Sequence, residues 1–307
     1  MGGYSLSDLW SIFVMQGFSG LSLFSVLLLM ALGLAIIFGQ MGVINMAHGE
    51  FMTIGAYTIY LVSKVATKYF PAFVPYYFIV AVAVAFVVAF AVGYLVEFLL
   101  IRHLYKRPLD TLLATWGLSL IMQQFFRSAF GAREVSATLP DWLMGAWHAT
   151  PTIDIPRNGL FVLLISLLVT GAVILLLFRS SWGLHVRATV QNRMMAGAVG
   201  INTKKVDRLT FAMGCGIAGI AGAAFTTIAS TGPTSGSLYI VDTFLVVVFG
   251  GAASLLGTVA SAFSIAQAQS ILTFFMTNAM GKVTTLVVVI AILMLRPEGL
   301  FAAKVRK

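Results

Sequence analysis

Apolar runs of membrane-spanning length follow one another from residue 18 to residue 296, and charges fall mainly in the gaps between them. A hydrocarbon layer about 30 Å thick is crossed by roughly 20 apolar residues in a helix. Inside that layer backbone N–H and C=O groups have no water to bind, so runs of this length are expected as helices. Read at that length, the chain gives nine segments, near 18–39, 43–62, 77–101, 111–130, 160–178, 209–229, 239–256, 258–280 and 282–296. The count becomes eight or ten if the interrupted runs are divided otherwise. Only 9% of the 307 residues are charged, against about 25% in a soluble domain. The expected fold is all-α: a single polytopic transmembrane helical bundle over residues 1–307, with broken membrane segments.

The net charge of +9 does not indicate nucleic acid as a partner, because the basic residues sit in short gaps and read as topology determinants. Arg102, Lys106 and Arg107 share one gap, Arg179, Arg187, Arg193, Lys204, Lys205 and Arg208 another, and Arg296, Lys304, Arg306 and Lys307 end the chain. Nine spans place all three groups on one side, the cytoplasm, with the N-terminus outside. Lys64 and Lys68 fall in an outside loop, against the rule. Cys215 is the single cysteine and the four histidines have no ligand spacing, so no metal is expected.

Residues 179–208 are too short for a domain and too patterned for a linker. Val186, Val190, Met194, Ala198 and Ile201 recur at helical spacing, which predicts one amphipathic helix over 186–202. Gly200 is its stop. Such a helix lies in the headgroup layer or inserts into a groove on another protein. Its small residues suit close packing on a protein.

Residues 38–57 place Gln40, Asn45, His48 and Glu50 inside an apolar region. Polar groups at that depth face a cavity or a protein neighbour, and the glycines between them permit a broken segment. His48 and Glu50 are two apart, so one continuous helix does not bring them to one face. Their plain reading is hydrogen bonding to neighbouring helices. In the second half, residues 210–225 carry a small-residue face suited to close helix contact. Residues 249–258 break another apolar run with glycines, and both breaks follow an outside-to-inside span, as in a parallel duplication. Asp242 reads as a helix-start cap.

Two blocks carry a resemblance. Gly42-Val43-Ile44-Asn45-Met46-Ala47-His48-Gly49-Glu50, followed by Gly55-Ala56-Tyr57, and Ala196-Gly197-Ala198-Val199-Gly200-Ile201-Asn202 resemble the branched-chain amino acid and urea class of ABC importer permeases. The runs Arg107–Gly117, Gln123-Gln124 and Tyr239–Asp242 are more similar to its urea branch, and the matches extend from about residue 30 to residue 303. The resemblance implies a multi-pass permease of the bacterial inner membrane that imports urea, with branched-chain amino acids as the alternative. It implies a heterodimer with a second homologous permease, two cytoplasmic ABC ATPase subunits that use the ATP, and an extracytoplasmic solute-binding protein. It also implies that residues 186–202 form a coupling helix docked on the ATPase, through Arg187, Gln191, Asn192, Arg193, Ala196, Gly197, Gly200, Ile201 and Asn202.

Urea is neutral and needs hydrogen-bonding partners, which Asn45, Thr53, Thr115, Gln123 and Gln124 offer; His48 and Glu50 complete the candidate pathway. The chain has no Gly-rich phosphate loop ending in Gly-Lys-Ser/Thr, so it is expected neither to hydrolyse ATP nor to bind a cofactor itself. An intramembrane enzyme would need a nucleophile with a base in reach, and Ser119 has no evident partner in the sequence. A passive channel uses similar polar breaks but has no need of segment 186–202.

Overall fold

The computed structural model describes residues 6–105, 107–150, 153–251, 254–296 and 299. Lys106, Ala252, Ala253, the remainder of the closing Arg-Pro-Glu-Gly-Leu-Phe run and the terminal basic residues lie outside them. Nine helices coincide one for one with the nine expected segments. They are α1 (Leu6–Met41), α2 (His48–Tyr69), α3 (Tyr77–Leu99), α4 (Pro108–Phe130), α5 (Arg157–Arg179), α8 (Thr203–Phe225), α9 (Ser235–Gly250), α10 (Leu255–Phe275) and α11 (Asn278–Leu295). Two shorter helices, α6 (Ser181–Gln191) and α7 (Arg193–Ala198), lie between α5 and α8.

Six of the nine are long and apolar enough to cross a membrane: α1, α3, α5, α8, α10 and α11. The other three depart for identifiable reasons. α2 and α4 carry charged and polar residues, and α9 has only 16 residues.

Burial sorts the helices into a centre and a shell. Residues 24–37 of α1 are buried without exception, and α8 buries nearly everything from Thr210 to Phe225. α3, α5 and α11 bury single stripes and expose Val87, Leu95, Leu168, Leu175 and Val287. In water such surfaces would be unfavourable; in a bilayer they meet acyl chains. The centre is held by close backbone approach. A Cβ built at Gly55 falls onto the carbonyl of Gly219, one at Gly222 onto that of Met52, and one at Gly49 onto that of Gly236. α2 therefore packs against α8 and α9 at distances only glycine permits, as expected of helices associating without a hydrophobic drive.

Both expected breaks are present. α1 ends before Gly42 (φ 64°) and α9 before Gly251 (φ 87°), left-handed conformations that favour glycine. After Gly42 the chain turns back along α1, because His48 Nε2 is 3.1 Å from the Met30 carbonyl oxygen. Met30 lies 11 residues before the end of α1, so α2 starts at membrane depth, about 16 Å from that end at helical rise.

The segment between α4 and α5 adds the one departure from an all-helical chain among the described residues. Strands β1 (Ala146–Thr150) and β2 (Ile153–Pro156) form an antiparallel hairpin. Leu143 is buried, Trp142 donates to the Pro75 carbonyl, and Val135 bridges Thr231. The loop is thereby fastened across the ends of α2, α3 and α8. Asp242 is not a cap. It lies eight residues into α9 and pairs with Lys282 of α11 at 3.1 Å.

Candidate functional site

The first group of functional residues gathers where α1 breaks. α4 explains how. Its buried positions are Thr111, Thr115, Ser119 and Phe126, a mostly polar stripe at helical spacing, while its outer face exposes Leu113, Trp116, Leu120 and Phe125. The polar stripe faces the start of α2. Met46 N–H donates to Thr115 Oγ1 at 3.1 Å. Glu50 Oε1 accepts from Ser119 Oγ at 3.0 Å and from Gln123 Nε2 at 2.9 Å. Further along, Tyr57 stacks on Phe130 with ring centroids 4.1 Å apart.

Thr53 points the other way, accepting from the Gly236 N–H at 3.0 Å at the start of α9. Asn45 Oδ1 accepts from Ala47 N–H at 3.1 Å and so shapes the turn itself. Six of the seven expected pathway residues, Asn45, His48, Glu50, Thr53, Thr115 and Gln123, thus gather around the start of α2, facing α1, α4 and α9 in turn, as a polar seam that is buried except at the half-buried Gln123. Gln124 does not: it is exposed on the outer side of α4. His48 and Glu50 diverge, the first towards α1 and the second towards α4.

Several polar atoms in this seam have no hydrogen-bond partner among the described residues: Asn45 Nδ2, His48 Nδ1, Glu50 Oε2 and Tyr57 Oη, with Gln40 Oε1 at the end of α1. Unpaired buried polar atoms are uncommon and each is costly. Glu97 and Asp242 are paired with Arg208 and Lys282. Glu50 has no cation among the described residues and is held by neutral donors. Ser119, without a partner in the sequence reading, does have one in Glu50, but the His48 ring is turned to Met30 and no imidazole joins the pair. The arrangement is a buried hydroxyl–carboxylate–amide cluster.

The second group lies between α5 and α8. The expected single helix over 186–202 is two helices, because Asn192 adopts an extended conformation (φ −155°, ψ 101°) and its side chain accepts from Met195 N–H at 3.0 Å. Three caps fix the element in series: Ser180 for α6, Asn192 for α7 and Asn202 for α8. Gly200 (φ 89°) closes α7. Ile201 N–H reaches the Ala196 carbonyl at 3.0 Å, and Gly200 N–H the Gly197 carbonyl at 3.1 Å, a Schellman arrangement. Asn192, Asn202 and Gly200 thus build the element.

The expected apolar face does not form either. Val186 is buried, but Met194 is 85% exposed, Val199 73% and Met195 60%. Ala196 alone of α7 is buried. Gln191 and Gly197 are exposed, Ile201 is half-buried, and Arg187 stacks over Phe178 at 5.2 Å. Arg193 pairs with Asp207 of α8. The result is a braced element presenting an apolar tip.

Beneath it lies an ionic cluster that sequence reasoning missed. Arg208 Nε donates to Glu97 Oε2 at 2.9 Å, and Tyr105 Oη donates to Glu97 Oε1 at 2.6 Å. Burial, with the Glu97 carboxylate that accepts its proton, raises the Tyr105 phenol above the ordinary tyrosine range. Glu97 and Arg208 are 111 residues apart, so only the α3–α8 packing reveals them.

The bundle, with six helices long and apolar enough to cross a membrane and a buried polar break at its centre, is that of a polytopic membrane protein. Residues 17–295 match the family model described as branched-chain amino acid transport system, permease component. The chain belongs to that family, whose members are permease subunits of ABC importers, and it is a multi-pass inner-membrane protein. The LivH permease protein of the high-affinity branched-chain amino acid transport system of Escherichia coli K12 is 26% identical, covering 96% of this chain and 97% of the relative. The probable LivH of Methanocaldococcus jannaschii is 26% identical over 96% and 94%. BraD of Pseudomonas aeruginosa, likewise named as a branched-chain amino acid permease, is 25% identical over 94% and 95%. No solved structure matches.

Proposed function

We propose that this chain is the membrane-conducting subunit of an ATP-driven importer of branched-chain amino acids. It works beside a second homologous permease, with two cytoplasmic ATPase subunits and an external solute-binding protein. The observation that carries the reading is the tip of α7: a rigidly capped element with Met194, Met195 and Val199 exposed between basic segments. Apolar side chains on a fixed cytoplasmic element suit a partner's groove, and the partner required is an ATPase, since the chain has no phosphate loop of its own. The buried seam of Asn45, His48, Glu50, Thr53, Thr115 and Gln123 is the proposed translocation lining, its unpaired atoms being available to a passing solute.

The relatives' names favour amino acids over the urea expected from the urea-branch runs. One observation keeps urea as a second reading: Glu50 is held by neutral hydrogen-bonding groups, and among the described residues no cation faces it to receive a substrate carboxylate. Uptake of labelled leucine and labelled urea, in cells with the intact transporter and in cells lacking this chain, tests both. Loss of leucine uptake alone supports the first reading, and loss of urea uptake alone the second. Flux that persists without ATP would instead indicate a passive channel.

A further inference from the structure

The cytoplasmic ends of α3 and α8 enclose a pocket of about 910 Å³ that the transport reading does not use. Arg102, Arg107, Arg193, Lys204 and Arg208 line it together with Glu97. The carboxylate that lines it, Glu97, and those paired with its cations are already committed. Glu97 is held by Arg208 and Tyr105, Asp207 by Arg193, and Asp110 by Arg107 at 3.4 Å. Arg102 and Lys204 have no carboxylate partner among the described residues, and His103 adds a further basic group to the wall. The pocket therefore carries surplus positive charge in a crevice with a low-dielectric wall, where that charge attracts an anion most strongly.

Its position indicates which anion. Phe98 holds two guanidinium groups, Arg102 at 4.9 Å and Arg208 at 4.7 Å from its ring centroid. From Phe98 towards the membrane the outer face of α3 is a continuous exposed stripe including Val80, Val87, Val88 and Leu95. That stripe faces acyl chains, so the cations stand where acyl chains end and phosphates begin. Basic pockets at this level suit anionic headgroups.

We propose that this pocket binds the phosphate ester of an anionic membrane lipid, with an acyl chain along the α3 stripe. Arg102 and Lys204 take the phosphate. Because Arg193 belongs to α7 and Arg208 to α8, the bound headgroup braces the docking element against the α3–α4 turn. The same phosphate chemistry could come from a soluble ester, so the test separates the two sources.

The full-length chain in detergent is titrated with phosphatidylglycerol and with phosphatidylcholine, and retained lipid is read by native mass spectrometry. Wild type is expected to retain phosphatidylglycerol selectively. The Arg102→Gln/Lys204→Gln variant is expected to bind it about thirtyfold more weakly, the effect of two near-surface cations. Both side chains are exposed and have no ion partner among the described residues, so the variant should fold, and Arg102→Lys/Lys204→Arg should restore binding. Inorganic phosphate should not displace the lipid. Equal retention of the two lipids, or no loss in the Gln variant, overturns the proposal. So does displacement by phosphate alone, which assigns the pocket to a soluble ester. Unchanged lipid retention with lost ATPase association would assign it to an acidic protein segment and overturn it equally.

Discussion

Glu50 sits fully buried between Ser119 and Gln123, 69 and 73 residues away in sequence. Removing its carboxyl group strands the Ser119 hydroxyl and leaves Gln123 Nε2 only Ser119 Oγ, at 3.1 Å. Glu50→Leu is expected to destabilise the purified protein by about 1–3 kcal/mol, the penalty for buried groups left unpaired, measured as a shift in detergent unfolding. Glu50→Gln keeps the shape and an acceptor oxygen, and should stay within about 1 kcal/mol of wild type while reducing uptake. Equal loss of stability in both variants would make the charge itself structural. That Glu50 is buried and polar was legible in its apolar surroundings. Its partners were not, because Ser119 and Gln123 belong to a helix whose inward face is polar. The register of α4 on α2 is set by packing that no local pattern records. Gln124 shows the converse: chemically equal to Gln123, it is turned outward by one helical step.

At the scale of elements, the nine long helices were legible in the sequence, six of them as long apolar runs and α2, α4 and α9 as runs interrupted by polar residues or glycine. The cytoplasmic helix was misread for a physical reason. Helical spacing of Val186, Val190 and Met194 predicts one amphipathic helix with a continuous apolar face, but Asn192 bonds its own downstream backbone and breaks the helix. The residues past the break are exposed, not packed. Gly200 closes that element at φ 89°. A Cβ there meets open space, so any loss in Gly200→Val comes from backbone strain of about 1–2 kcal/mol. The variant should insert normally and show ATP hydrolysis uncoupled from uptake; normal coupled uptake would refute the coupling role. Gly222→Val tests the centre of the bundle. Its Cβ falls on the Met52 carbonyl oxygen, so the backbones of α2 and α8 must part. Unfolding at markedly lower temperature is expected, and an unchanged midpoint would show that the two helices do not pack this closely.

On the scale of the whole molecule, the inward-facing helices α1, α2 and α8 are joined by glycine contacts, while α3, α5 and α11 present apolar stripes outward. The polar seam lies inside this frame and the exposed tip of α7 outside it. Between them stand the ion pairs Glu97–Arg208 and Arg193–Asp207, which connect α3, α7 and α8. The pair Arg193–Asp207 ties α7 to α8, and α8 packs on α2, which carries Glu50; under the proposed function this is the path along which a push on α7 is passed to the seam.

That claim is open to direct measurement, because the single native cysteine, Cys215, is buried. A cysteine placed at Met194 gives a unique reactive position. Inside-out membrane vesicles are treated with a membrane-impermeant maleimide, with and without the ATPase subunits. The account predicts rapid labelling of position 194 without them and protection when they are bound, with no labelling in intact cells. Labelling from outside intact cells, or labelling in vesicles indifferent to the ATPase, would contradict it.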